Sequence, residues 1–159
     1  MNNQLSVKMI LDTWYAKIKE TDSIIDKLTD EEIQSEVSPG RNRGIYLLGH
    51  LIAVHDHLLS LLGFGENCYP EHVEVFIKNP DKSKDITVSV ADLRSQWKNV
   101  NGVLANHFDK LSADEWYQKH TSISAEDFQK EPHRNRLNVI ISRTNHLSYH
   151  NGQLALLIK

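Results

Sequence analysis

The chain has one cysteine, Cys68, among 159 residues. A single thiol cannot build a disulfide framework within one chain, and a reducing compartment fits that usage. There is no surplus of positive charge either: 18 Lys and Arg stand against 21 Asp and Glu, a formal net charge of −3. That balance carries no electrostatic footprint for a nucleic-acid backbone. No uninterrupted apolar run approaches the ~18 residues of a membrane span. The opening, "MNNQLSVKMILDTWYAK", lacks an apolar core followed by a small-residue cleavage site, so no signal peptide is expected. A cytoplasmic protein without nucleic-acid or membrane partners is the expectation. No alternation of period two persists long enough for a strand. No Gly-rich phosphate loop and no readable Ser/His/Asp spacing occur, and "GFGENC" lacks the flanking strand and helix of a dinucleotide site.

What is present is ordinary globular material with one oddity. Hydrophobic residues make up 40% and charged residues 25%, and the length fits a single domain over residues 1–159 with a core that needs no staples. The oddity is nine histidines, which raise the prospect of a metal or pH-sensitive site.

Four long segments carry helical periodicity. Val7, Leu11, Trp14, Ile18, Thr21, Ile25 and Leu28 recur at spacings of four and three, one face of a packed helix. "SPGRNRG" breaks that pattern at Pro39 and Gly40. A second segment, from about Gly44 to Leu62, turns Leu47, His50, Leu51, Val54, Leu58 and Leu61 inward. A third opens after Ser89, a plausible N-cap, and aligns Leu93, Trp97, Val100, Leu104, His107 and Leu111. The fourth, from about Arg136 to Ile158, aligns Val139, Ile140, His146, Leu147, His150, Leu154 and Leu157. Residues 69–88 read as irregular with a short turn at "EHVEVFI", and 117–135 as a long connection closed by Pro132. The pattern specifies an all-α four-helix bundle with long inter-helix connections. A faint internal echo links "DKLTDEE" (26–32) to "DKLSADE" (109–115), and "GHLIAVH" to "NHLSYH", so that His50 corresponds to His146.

His146 and His150 stand four apart, hence on one helix face with Cβ atoms about 5–6 Å apart. Two such imidazoles can share a metal ion, and His50, on the inward stripe of the second segment, is the best third ligand. An isolated H-x-x-x-H is as readily a pair of packed histidines. Three inward histidines on two helices are harder to read that way, because each unsatisfied ring nitrogen costs about 1–3 kcal/mol. His57 falls on the same side as His50 two turns on, as a core or supporting residue. His107 reads as a packed histidine, and His55, His72, His120 and His133 as surface residues. Asp56 is expected on the solvated outer face, and Gln153, three after His150, either hydrogen-bonds inside the bundle or ends the helix at the edge of the last stripe. Tyr46, Tyr149 and His57 are candidate helpers in catalysis, and none is a clear general base.

At these residues the chain resembles the DinB/YfiT-like superfamily. The likeness is carried by "NRGIYLLGHLIAVHDHLL" (42–59) and "NHLSYHNGQLALL" (145–157). The family's first ligand falls on His50, its H-x-x-x-H pair on His146 and His150, and the following "GQ" on Gly152 and Gln153. Many members carry a histidine just before the last ligand and an arginine just after it; here those places hold Tyr149 and Asn151. The resemblance implies a four-helix bundle with a divalent metal ion on His50, His146 and His150, often as a homodimer. The metal would be zinc, nickel, iron or manganese, since imidazole suits several. Some relatives are S-transferases or isomerases that use low-molecular-weight thiols; others are described only as metal-dependent hydrolases. A small-molecule substrate is the expected partner, with the stretches 65–88 and 117–135 shaping its mouth. The alternatives are a non-enzymatic metal- or ligand-binding bundle, and a bundle whose histidines bind nothing.

Overall fold

A computed structural model describes residues 3–159. Four long helices carry the periodic segments: α1 (Asn3–Lys27), α3 (Gly44–Leu61), α5 (Val90–Phe108) and α7 (Arg136–Ala155). Three short helices lie between them, α2 (Asp30–Gln34), α4 (His72–Phe76) and α6 (Ala125–Lys130), with a 3-10 turn at Glu115–Tyr117. Among the described residues there is no β-strand, only two isolated bridges, Glu36–Arg43 and Lys119–Asn135. The protein is all-α, and its long helices pack as a bundle.

Local chemistry sets the helix ends. Ser89 Oγ accepts from the Asp92 amide at 3.0 Å and opens α5, as expected. Asn135 Oδ1 accepts from the Asn138 amide at 2.9 Å and opens α7. Each such cap contributes about 1 kcal/mol. The start of α3 is fixed from outside instead: the Arg43 amide donates to Asp81 Oδ2 at 2.7 Å, and its guanidinium donates to Asp81 Oδ1 at 2.7 Å. At the other end Gly63 adopts φ +77°, and the Phe64 amide reaches back to the Leu59 carbonyl at 2.8 Å. This left-handed residue closes the helix at little steric cost because it lacks a Cβ.

The internal echo has a structural counterpart. After α1, Thr29 and Glu32 form a reciprocal capping box, and the chain then passes through the Glu36–Arg43 bridge into α3. After α5, Ser112 and Glu115 bond reciprocally, and the chain passes through the Lys119–Asn135 bridge into α7. The "DKL" segments lie at the ends of α1 and α5. Each leads through a polar box into a fresh turn.

The interior holds Trp14, Trp97 and Trp116, each 1% exposed. Truncating such a residue typically costs about 3–5 kcal/mol. The central element is α3. By length and apolarity it matches a membrane-spanning segment, but 83% of it is buried inside the bundle, where it serves as the core helix.

That enclosure corrects several expectations. Because α3 packs against α2, α4, α5 and α7, it has no broad solvated face. His55, expected at the surface, is fully buried between Trp14 and Trp97, with ring centroids 4.8 and 4.9 Å away. Asp56, expected to be solvated, is buried and accepts from the Cys68 and Tyr69 amides at 2.7 and 2.9 Å, pinning the loop that follows α3. His72 is also buried, because α4 folds back onto α3 and its Nε2 meets Gln96 Oε1 at 2.7 Å. His57, expected inward, is exposed. It looks toward the Arg143 side of α3, but neither α4 nor α7 covers it there. His133 is exposed as expected, while His120 is half-buried.

Candidate metal centre

Helices α3 and α7 run antiparallel: Leu157, just past α7, abuts Gly44 at the start of α3. That arrangement sets the sixth residue after Gly44 on α3 against the middle of α7. There the Nε2 atom of His146 lies 3.1 Å from Nε2 of His50 and 3.1 Å from Nε2 of His150. Residues 96 positions apart in sequence thus meet ring to ring. Two imidazole nitrogens on one tetrahedral or octahedral ion, at a metal–nitrogen distance of about 2.0–2.1 Å, stand about 2.9–3.4 Å apart. The spacing found fits that range, and the three rings could hold a metal ion.

Proton accounting supports the fit. His50 Nδ1 lies 2.8 Å from the backbone carbonyl of Phe76, which can only accept, so the proton of a neutral His50 sits on Nδ1. His150 Nδ1 lies 2.7 Å from Gln153 Oε1, and the Gln153 amide donates to Tyr149 Oη at 3.3 Å. That assignment places the His150 proton on Nδ1 as well. Both rings therefore turn an Nε2 lone pair toward His146 Nε2. A neutral His146 can offer at most one proton there, and it cannot satisfy two lone pairs. A cation satisfies all three nitrogens at once. The outward bonds of His50 and His150 are the kind of supporting contact that fixes ligating imidazoles. His146 Nδ1 has no partner and is buried.

The electrostatics keep these rings neutral. Burial lowers the affinity of His50 for a proton, the Phe76 carbonyl opposes this, and the charge of Arg143 adds to it. Burial also pushes His146 down, to about 4, with help from His150, His50 and Arg143. His150 is lowered by burial against the opposing effect of Gln153. Neutral imidazole is the metal-binding form, so the site is ready for a cation at neutral pH.

The remaining expected residues divide. Tyr46 stacks on His50, with centroids 6.4 Å apart, but its hydroxyl donates to the Asn79 carbonyl at 2.8 Å and is occupied in holding the chain after α4. Tyr149 is exposed beside His150, with centroids 5.1 Å apart. His57 is exposed and outside the cluster, and its Nδ1 is 3.5 Å from Ser60 Oγ. His107 stacks on Phe64 at 4.7 Å and is not part of the cluster. Two contributors escaped sequence reasoning. One is the Phe76 carbonyl, invisible because any residue carries one. The other is Arg143, whose position three residues before His146 was the available signal.

No protein-family model and no curated protein matches the chain. Among solved structures, a conserved protein from Enterococcus faecalis superposes with a TM-score of 0.62, covering 99% of this chain and 97% of its own, at 14% identity. At that identity the likeness speaks to the fold alone.

Proposed function

We propose that the protein binds a divalent metal ion through His50, His146 and His150 and uses it in catalysis on a small molecule. The observation that carries this reading is the convergence of the three Nε2 atoms, two of them on rings whose Nδ1 proton is directed away. The donor set also favours an open site. The cluster contains three ligands, and His50 and His146 are only half-buried. Structural zinc sites are closed by a fourth protein ligand, whereas catalytic ones leave a position for water or substrate. An ion held this way lowers the pKa of a bound water or thiol and supplies a nucleophile near neutral pH.

The resemblance to the DinB/YfiT-like superfamily places two reactions in view, transfer involving a low-molecular-weight thiol and hydrolysis. It also implies a homodimer. What this chain's own residues contribute is positional. Phe76 and Gln153 hold two imidazoles in orientation, and the packing of α3 against α7 sets their separation.

The test is metal analysis of protein purified without a histidine tag and reconstituted with zinc, nickel, iron or manganese. A thiol-transfer assay with a generic electrophile and an ester-hydrolysis assay then follow. One ion per chain, lost in His146→Ala, is the expected result. Failure to retain any of the four metals would end the reading, and retention without either activity would return the site to a binding role.

A further inference from the structure

Arg143 is a half-buried cation without a counter-charge. None of the ion pairs among the described residues includes it. Its Nε is buried with no hydrogen-bond partner. Burial lowers its affinity for its own proton, and its charge is close enough to depress His50 and His146. An Nε–H that has lost water without gaining a partner is costly unless an acceptor joins it, since buried polar groups are normally paired.

Beside it is a cavity of about 240 Å³ lined by Ala53, Val54, His57, Val73, Ile77 and Arg143. A void of ~150 Å³ accommodates a benzene ring, so this one takes a ring or a short branched chain. Its walls come from the three elements that build the histidine cluster. Ala53 and Val54 follow His50 by three and four residues on α3. Arg143 precedes His146 by three on α7. Because the helices are antiparallel, both displacements run the same way along the bundle, about one turn from the cluster. Val73 and Ile77 flank Phe76, whose carbonyl orients His50. On its other side Arg143 borders a second cavity, of about 210 Å³, which also receives Arg134 and His120. Neither cavity is lined by a carboxylate.

We propose that Arg143 and the apolar cavity form a subsite for a small molecule bearing a carboxylate and a compact apolar group, adjacent to the three histidines. The guanidinium pairs with the carboxylate in the fork geometry that suits it. Ala53, Val54, Val73 and Ile77 enclose the apolar group. This deepens the proposed function by naming a substrate class, and rests on that reading only for the chemistry next door; the subsite itself is built without the metal.

The test uses the full chain, metal-free and zinc-loaded, titrated with phenylacetate and with its neutral isostere phenylacetamide, and followed by NMR at the methyls of Val54, Val73 and Ile77. Phenylacetate is expected to shift these methyls saturably and to bind at least about tenfold more tightly than the amide. Arg143→Gln should abolish that preference, and Arg143→Lys should keep part of it. Val73→Trp, which fills the cavity but leaves the guanidinium, should weaken both probes. Equal binding of acid and amide, a preference that survives Arg143→Gln, or no saturable shift at these methyls overturns the subsite. Metal content measured after reconstitution with zinc, nickel, iron or manganese separates the two readings. Arg143-dependent binding without any of the four retained leaves the subsite standing and removes the metal, and a retained metal without acid preference does the reverse.

Discussion

His50 Nδ1 donates to the backbone carbonyl of Phe76 at 2.8 Å, so a five-residue helix fixes the tautomer of a histidine 26 positions earlier. The contact depends on how closely α4 approaches α3. At Gly49 a Cβ would overlap the Phe76 ring. Glycine next to His50 is therefore what lets the Phe76 ring lie flat against α3 while its carbonyl meets the imidazole.

Gly49→Ala tests that dependence. The clash must be relieved by moving α4, and overpacking of this kind costs about 1–3 kcal/mol. Urea unfolding should show that loss, and metal affinity should fall with it because His50 loses its fixed orientation. Unchanged affinity alongside lowered stability would mean that Phe76 does not orient the ring.

Removing a proposed ligand should cost more than removing its support. His146→Ala is expected to abolish stoichiometric binding. Gln153→Leu leaves all three imidazoles but frees the Nδ1 of His150, and loss of such outer contacts costs about 10–100-fold in metal affinity. Competition with a chromophoric chelator reads both. Equal effects from the two variants would place Gln153 among the ligands themselves.

His55 gives the fold an acid limit. Burial between two tryptophans drives its pKa down to about 3, with Asn101 Oδ1 opposing at 2.8 Å and the charges of His146, Arg143 and His50 adding to the fall. Between about pH 6.5 and 3 the unfolded chain binds this proton and the folded one does not. Stability therefore rises with pH across that window, by up to about 1.4 kcal/mol per pH unit, and is lost on acidification. Metal-free protein and His55→Leu, unfolded in urea at pH 7.5 and pH 5, should differ in that slope, the variant being flatter. Parallel slopes would remove His55 as the source.

Asp56 anchors the chain after α3 through two backbone amides. Asp56→Ala leaves both donors without their charged acceptor, and hydrogen bonds to charged groups contribute about 1.5–3 kcal/mol each. A destabilisation of about 3–6 kcal/mol is expected, with faster hydrogen exchange at the Cys68 and Tyr69 amides. Loss of stability without that local exchange would point to the helix rather than the loop.

How far the sequence could be read depended on segment length and on how many sides of a helix are covered. The long helices were legible because each repeats an apolar spacing over five or more turns. Of the five-residue helices, α4 was legible only as the short turn at "EHVEVFI" and α2 not at all, since one turn contains no period to detect. Stripe reasoning succeeded on α7, which has a solvated side, and misplaced His55, Asp56 and His57 on α3. That reasoning assumes one wet face, and α3 has partners on most sides.

The sequence by itself determined that His146 and His150 share a face of α7, because 3.6 residues per turn fixes that relation in any fold. It also put His50 on an inward stripe. Only the tertiary structure decided that the three Nε2 atoms meet within 4.8 Å of one another. Their meeting depends on the antiparallel register of α3 and α7, set by Gly44 against Leu157. The unpaired charge of Arg143 beside an apolar cavity is likewise a tertiary result. It arises because the packing buries the Nε of a side chain to which it supplies no acceptor.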